Sequence, residues 1–423
     1  MKILDWVGAR KLESRWGTFP SGIVNVAIML TVFMILWRVF MDPRGIFRMY
    51  SPMYGYAYVQ WMLVAVLTAW LVLRLWPLQQ SGFLAKTHPL LKGSVFFGIS
   101  ALFMLLMVNG VLKSLIGGLS IPYFSEVSLL SLKQNAFNAR EYSHQAITML
   151  GGMTALVIPV WVLHLKNWPT REITRGSGYL TSLTMIFFFA IIGYFLLYHP
   201  HLGILFYPWQ FYAAAVPWWE GMANTLHSNF CLGLMMSWTA ALWIIQVTYE
   251  GFPFKQYDDK PWRPLFGILG TLLFGLILFG GFHFLQEMAW GAPVRGGKLV
   301  GAVDWRYLHS GETSLFMLLI ALIWGFYFKN WPRKYSMEVN FLVRTVIVGF
   351  GTFLFYTFYY KYNAIILGQQ SGYSNPLQFP LAATSLIVAL LLAHSWFFDM
   401  WPGEKVSNRQ ELSPEADPQP QGK

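Results

Sequence analysis

Four histidines with glutamates close by are the residues of this sequence whose types and spacing could support chemistry. Three of them, His144, His227 and His309, stand at the start of apolar runs, and they precede aromatic–proline pairs by 24, 25 and 22 residues. Because a helix rises about 1.5 Å per residue, these spacings place the three imidazoles at similar depth in three helices. The fourth, His283, lies near the end of another apolar run and is predicted to join the same layer.

Three of these histidines have a carboxylate at helical spacing. The pairs are Glu141 with His144, His283 with Glu287, and His309 with Glu312. Residues three or four positions apart lie on one face of a helix. A carboxylate in that position either joins the histidine as a metal ligand or orients it through a hydrogen bond.

The sequence therefore predicts a site that holds a redox metal, copper or iron, or that supplies imidazoles to a haem b. The predicted ligands are His144, His227, His283, His309, Glu141, Glu287 and Glu312. A quinone bound among the same side chains is a further option. No residue is assigned a catalytic role.

Two other interpretations of the same residues stay open. Ser143, Ser228 and Ser310 each neighbour one of the histidines, so these polar groups also fit helix caps at a membrane surface. A series of imidazoles and carboxylates is also suited to relaying protons through a membrane protein.

Several classes of site are excluded by what the sequence lacks. A single cysteine, Cys231, excludes a disulfide framework and cysteine-based zinc or iron–sulfur sites. The sequence contains no Walker A motif, no HExxH and no CxxCH. It carries a net charge of +11 but no nucleic-acid-binding motif, and we expect no nucleic-acid partner.

The elements that must position these residues are membrane helices. Of the 423 residues, 56% are hydrophobic and 12% are charged, and the mean hydropathy is +0.46. Soluble domains carry about 25% charged residues, so an ordinary soluble enzyme is excluded. Ten apolar runs are each long enough to cross about 30 Å of hydrocarbon as a helix. They cover residues 21–41, 54–76, 92–115, 143–165, 178–198, 224–248, 264–287, 310–328, 342–365 and 378–399.

The ten runs form a repeat of two-helix hairpins. Every second run stops at an aromatic–proline pair, most clearly in HLKNWPTRE (164–172) and YFKNWPRKY (327–335). Proline cannot continue a helix, and an aromatic side chain with a neighbouring Lys or Arg marks a membrane surface. Most of the 30 lysines and arginines fall on the side of these pairs, which predicts that both termini are cytoplasmic.

Three regions follow from this pattern. Residues 1–20 are predicted to be a basic cytoplasmic N-terminus, 21–402 a ten-helix transmembrane domain, and 403–423 a disordered, proline-rich cytoplasmic tail. The aromatic loop 199–223 is predicted to hold a short interfacial helix anchored by Trp209, Trp218 and Trp219.

The sequence thus predicts an all-α polytopic integral membrane protein of about ten transmembrane helices. Its expected place is the inner membrane of a bacterial-type cell, in contact with the bilayer and with other subunits of a complex. The expected function is that of a redox or respiratory membrane subunit with haem, a redox metal or a quinone near the outer face. A secondary transporter and a scaffolding subunit are the alternatives.

Overall fold

Ten long helices, most of them unbroken apolar segments, make up the fold. The computed structural model describes residues 12–49, 53–78, 87–170, 173, 175–206, 218–257, 262–291, 294–295, 298–299, 303–368 and 380–406. The long helices are α1 (Thr18–Leu36), α2 (Tyr54–Leu67), α3 (Pro89–Leu105), α4 (Ala136–Pro159), α5 (Arg175–Leu197), α6 (Ser228–Trp243), α7 (Arg263–Trp290), α8 (Val303–Phe326), α9 (Met337–Leu367) and α10 (Pro380–Trp396).

Length and composition make these helices suitable for a bilayer. Within the described ranges, nine of them, some lengthened by a π-helical turn, are long and apolar enough to cross a membrane. The remaining helix, α10, is equally apolar but has only 17 residues. The class predicted from the sequence, an all-α polytopic membrane protein, is therefore confirmed. The number of spans and the side on which the termini lie stay predictions.

The even-numbered helices form an inner ring of five. The neighbouring pairs α2–α4, α4–α6, α6–α8, α8–α10 and α10–α2 all pack together, which closes the ring. In the apolar windows of α2, α4, α6 and α8, between 72% and 78% of residues are buried, and all residues of α10 are buried. Large side chains such as Trp61 and Trp396 lie wholly inside this ring.

The odd-numbered helices form an outer layer in which only 17% to 22% of the apolar window is buried. Each packs against the inner helix of the preceding hairpin: α3 on α2, α5 on α4, α7 on α6 and α9 on α8. The first outer helix completes this arrangement, because α1 packs on α10, the inner helix of the last hairpin. Each inner helix is therefore covered by the outer helix of another hairpin.

All five inner helices end in the same kind of turn. Two residues with left-handed backbone conformation are followed by an aromatic residue and a proline joined by a cis peptide bond. The five pairs are Trp76-Pro77, Trp168-Pro169, Phe252-Pro253, Trp331-Pro332 and Trp401-Pro402. We call the end of the bundle that carries them the turn face.

Polar side chains from the outer helices satisfy the carbonyl groups that these turns leave free. Arg263 of α7 donates to the carbonyl oxygen of Leu163 at 3.0 Å, and Arg344 of α9 donates to that of Thr248 at 2.9 Å. Buried carbonyl groups without partners are costly, so these bonds tie the outer layer to the inner ring.

A short two-stranded sheet closes the turn face. The strand β1 (Leu12–Ser14) pairs antiparallel with a strand at Glu404–Val406, and Lys329 binds the Glu404 carboxylate at 3.1 Å. Residues Glu404–Val406, at the start of the predicted tail, thus form a strand of this sheet. Residues 407–423 lie outside the described residues.

The aromatic loop differs in detail from its prediction. Its described residues form two short helices, His199–Phe206 and Trp218–Thr225, where one was predicted. Trp218 and Trp219 belong to the second, whereas Trp209 lies outside the described residues. Between α7 and α8, the strand β2 (Val294–Arg295) pairs antiparallel with β3 (Lys298–Leu299). The strand at Glu404–Val406, described above, is β4.

Candidate functional site

A compact polar group surrounds His309, toward the end of the bundle opposite the turn face. Its Nδ1 lies 3.1 Å from Oε2 of Glu312, and its Nε2 lies 2.9 Å from the hydroxyl of Tyr356. The hydroxyl of Tyr360 is 3.1 Å from the same Nδ1. We call these four residues the His309 cluster.

Helical spacing builds this cluster from two packed helices. His309 and Glu312 are three residues apart on α8, and Tyr356 and Tyr360 are four residues apart on α9. Each pair therefore faces one direction, and the packing of α9 on α8 brings the two faces together. The two phenol rings also contact each other, with centroids 4.7 Å apart.

Glu312 is an unusual residue for its position. Its side chain is only 4% exposed, and its Oε1 is buried without a hydrogen-bond partner in the described part of the chain. A buried carboxylate oxygen without a donor is energetically costly. Such groups mark a place where a proton or a ligand completes the hydrogen bonding.

The cluster lies close to the side of the bundle. The side chain of His309 is 15% exposed, and its ring centroid is 5.5 Å from that of Trp290 at the end of α7. Trp290 is 56% exposed. The imidazole is therefore partly accessible, next to an exposed indole.

A second cluster of similar composition surrounds His144 on α4. The rings of Tyr54 and Tyr58, four residues apart on α2, lie 4.7 Å and 6.1 Å from the imidazole. The carboxylate of Glu126 is 3.7 Å from His144 Nδ1, and Lys113 binds the same carboxylate at 3.1 Å. A histidine, two tyrosines one helical turn apart and a glutamate thus occur together twice.

The imidazole of His144 is held in one orientation. Its Nδ1 donates to the backbone carbonyl of Arg140 at 2.7 Å, which leaves the lone pair on Nε2. That atom is buried and has no partner among the described residues. Histidines that ligate metals are commonly oriented in this way.

The other predicted ligands have separate surroundings. Glu141, expected beside His144, accepts a hydrogen bond from the backbone nitrogen of Met53 at 3.0 Å. His283 Nε2 is 3.7 Å from Glu287, and its ring stacks on Tyr307 at 5.1 Å. His227 is exposed and occupies the position before the first residue of α6.

The described contacts bring together the predicted pairs His309 with Glu312 and His283 with Glu287. The described contacts of His144 and His309 share no residue. In the ranges that the structure describes, no group of three or more His, Cys, Asp or Glu side chains is placed to hold a metal ion. The four-histidine site stays a prediction.

A third histidine group lies outside the spans, in the helix His199–Phe206. His199 is hydrogen-bonded to the hydroxyl of Tyr123, and burial lowers the pKa of its imidazole to about 4. Burial, together with repulsion from the nearby His227, also lowers the pKa of His201. Both imidazoles are therefore neutral at pH 7.

The tyrosine pairs and Glu126 were missed by reasoning from the sequence. A signal for the tyrosines was present, since Tyr54 with Tyr58 and Tyr356 with Tyr360 share the spacing of four residues. In a sequence with 21 tyrosines and 35 phenylalanines, however, aromatic residues four positions apart often occur by chance, so such pairs are weak evidence for a site. Glu126 begins a short helix, Glu126–Ser131, between α3 and α4, and no local pattern reveals where that helix packs.

Comparison with known proteins gives no further guide to this site. No known protein family matches the chain, and no curated protein or solved structure matches it.

Proposed function

We propose that this chain is the membrane subunit of a redox complex and that its His309 cluster binds a quinone. The observation that supports this proposal is the buried pairing of His309 with Glu312 beside two phenols, close to the side of the bundle. A quinone or hydroquinone has a flat ring and oxygen atoms at both ends. It needs aromatic contact together with groups that exchange hydrogen bonds and protons.

The cluster contains the groups that hydroquinone oxidation requires for its protons. Oxidation breaks two O–H bonds and releases two protons and two electrons. Glu312 can take one proton at its unpartnered Oε1, and His309 can take the other through the hydroxyl of Tyr356, which is bonded to its Nε2. The electrons must pass to an acceptor, such as a metal or flavin centre in a partner subunit. This is why we assign the chain to a complex.

A haem b or a copper or iron ion is the less favoured form of the proposal. His144 is suited to ligation through its free Nε2. His309, in contrast, already has protein partners at both ring nitrogens. A single metal or haem site formed by His144, His227, His283 and His309 is less favoured, because these side chains have different neighbours and would have to move to one place.

Quinone binding can be measured directly on the purified chain. Titration calorimetry with a short-chain benzoquinone should give one site, and Glu312→Leu should weaken its affinity about tenfold, the effect of losing one hydrogen bond to a charged group. Tyr356→Phe removes a single hydroxyl and tests the same site with little risk to folding. His283→Leu is the matched control, because His283 also pairs with a glutamate but lies outside the cluster. Equal affinity in all four proteins would contradict the proposal.

A proton-coupled transporter is the second candidate, and the unpartnered Oε1 of Glu312 favours it. A carboxylate inside a membrane span is suited to taking up and releasing a proton during transport. The titrations separate the two candidates. For a transporter, no quinone binds to the wild-type protein, whereas substrate transport is lost in Glu312→Gln.

We further propose that the chain has ten spans in a bacterial-type inner membrane, with the turn face and both termini cytoplasmic. Its one cysteine, Cys231, is buried, so Cys231→Ser provides a background for labelling. In spheroplasts, an impermeant maleimide should label Ser131→Cys, which is exposed opposite the turn face. It should label the exposed Lys334→Cys at the turn face only after lysis. Labelling of both positions in intact spheroplasts would contradict this orientation.

A further inference from the structure

A buried amide of α7 is bonded to the part of α8 that carries His309. Gln286 is 6% exposed, and its amide nitrogen donates to the hydroxyl of Ser310 at 2.7 Å and to the backbone carbonyl oxygen of Arg306 at 3.2 Å. The hydroxyl of Ser310 donates to the same carbonyl oxygen at 2.9 Å. Ser310 directly follows His309, so these bonds attach α7 to the helical turn from which the imidazole projects.

A second contact joins the same two helix ends. Nη1 of Arg306 donates at 2.7 Å to the carbonyl oxygen of Gly291, which directly follows the last residue of α7. A carbonyl group at the end of a helix has no partner within the helix, so the guanidinium group supplies one. Arg306 and Ser310 are four residues apart and lie on one face of α8. We call the bonds that Gln286 and Arg306 make between the two helices the α7–α8 clasp.

The α7–α8 clasp restrains the rotation of α8 about its own axis. The imidazole of His309 has its Nε2 2.9 Å from the hydroxyl of Tyr356 on α9, and its ring lies beside Trp290, one turn beyond Gln286 on α7. Side-chain atoms lie about 5 Å from the axis of a helix, so a rotation of about 20° moves them by about 2 Å. A shift of that size away from α9 would break the bond to Tyr356, since hydrogen bonds are rarely longer than about 3.2 Å. The contact between His309 and Tyr356 therefore depends on how α8 is held.

Stability alone does not favour a glutamine at this position. Oε1 of Gln286 is buried and has no hydrogen-bond partner in the described part of the chain. A buried amide oxygen without a donor destabilises the folded state, and a leucine would fill a similar volume without that cost. What the glutamine adds is the pair of bonds from its amide nitrogen to α8.

We propose that Gln286 is a positioning residue for the His309 cluster: by holding Ser310 it fixes the rotation of α8 and keeps the imidazole of His309 at bonding distance from Tyr356. The described hydrogen bonds of Gln286 all lie outside the cluster, so it acts through Ser310 and not on a ligand. The inference rests on the proposed function only for the quinone that the positioned imidazole would serve.

The test uses the full chain, purified in detergent with isotope-labelled histidine. Gln286→Leu and Ser310→Ala each remove the bond between the two side chains, and the signals lost in His309→Gln identify the imidazole of His309 in the NMR spectrum. Both variants should shift or broaden those signals. They should also weaken the binding of a short-chain benzoquinone about tenfold, because the imidazole leaves its bonding position. Ser310→Ala is the milder change and decides the question if Gln286→Leu does not fold.

The matched control is Thr271→Val. Thr271 also lies on the buried side of α7, and its hydroxyl is 2.9 Å from Nε2 of His164 at the end of α4. Its loss should leave the imidazole signals of His309 unchanged and alter the quinone affinity less than twofold, because the two sites are far apart on α7. Unchanged signals in both Gln286→Leu and Ser310→Ala would overturn the proposal, and so would an equal change in Thr271→Val. Signals that change only in Gln286→Leu and Ser310→Ala, in a protein that binds no quinone, would support the positioning of His309 and contradict the proposed function alone.

Discussion

Gly311→Val is expected to prevent most of the protein from folding. Gly311 of α8 faces Gly233 of α6, where two inner helices cross. A Cβ atom on Gly311 would lie 2.6 Å from the Cα of Gly233 and 2.8 Å from its carbonyl oxygen. Since these are backbone atoms, no change of rotamer relieves the clash, and the helices must separate.

The separation would remove more than one contact. Ser237 and Ser314, which lie one turn further along the same crossing, share a hydrogen bond of 2.8 Å between their hydroxyl groups. Small residues at such crossings allow the close packing that holds membrane helices together. Overpacking costs about 3 kcal/mol or more when the backbone must move, a large part of a stability of about 5–15 kcal/mol.

Folded yield by size-exclusion chromatography and the thermal unfolding midpoint measure this effect. Gly349→Val is the matched control, because a Cβ at Gly349 on α9 meets no atom within 4 Å. It should leave both quantities near the wild-type values. Normal yield of Gly311→Val would show that α6 and α8 do not cross as closely as the structure has them.

Asp399→Asn is expected to lower the free energy of unfolding by about 3 kcal/mol. The ammonium group of Lys92 on α3 binds both carboxylate oxygens of Asp399, at 2.7 Å and 2.6 Å. Both side chains are at most 10% exposed. Asparagine tolerates the left-handed backbone of this position as well as aspartate does, so the substitution changes charge alone. It leaves the buried ammonium without its counter-charge.

A second substitution shows whether the ion pair is the cause. Lys92→Met combined with Asp399→Asn removes both charges and should be less destabilised than Asp399→Asn alone. The exposed pair Lys405 and Glu13, 3.9 Å apart, provides a control. Lys405→Gln should change the thermal unfolding midpoint very little, because exposed ion pairs contribute little to stability. Additive effects in the Lys92 and Asp399 cycle would contradict this account.

The helices could be predicted from the sequence because each is a long apolar segment, and such a segment can cross lipid only as a helix, in which its backbone hydrogen bonds are satisfied. Their arrangement could not. The outer helix α1 and the inner helix α10 are both apolar on every side, so composition does not tell which of them is surrounded by protein. A helix surrounded by lipid needs no polar face, so the alternation of polar and apolar residues that identifies the buried side of a helix in a soluble protein is absent.

The candidate site was predicted in part for a similar reason. His309 with Glu312 are neighbours on one helix, so their spacing was sufficient to predict the pair. Tyr356 and Tyr360 come from α9, and Glu126 comes from the short helix Glu126–Ser131, so their contacts with histidines depend on how separate segments pack. Glu141 was expected near His144, and its hydrogen bond from the backbone nitrogen of Met53 could not be predicted because Met53 belongs to another segment of the chain.

The circular packing of the hairpins has a consequence for biosynthesis. The helix α1 precedes the other nine helices along the chain, but it packs on α10, and its Phe19 contacts Trp331 at the end of α8. During synthesis α1 must therefore wait in the bilayer, with lipid in place of its native neighbours, until the last hairpin is inserted. Only then can the β1–β4 pairing join the two ends of the bundle. Insertion of the helices can proceed one hairpin at a time, whereas completion of the tertiary structure is a single late event.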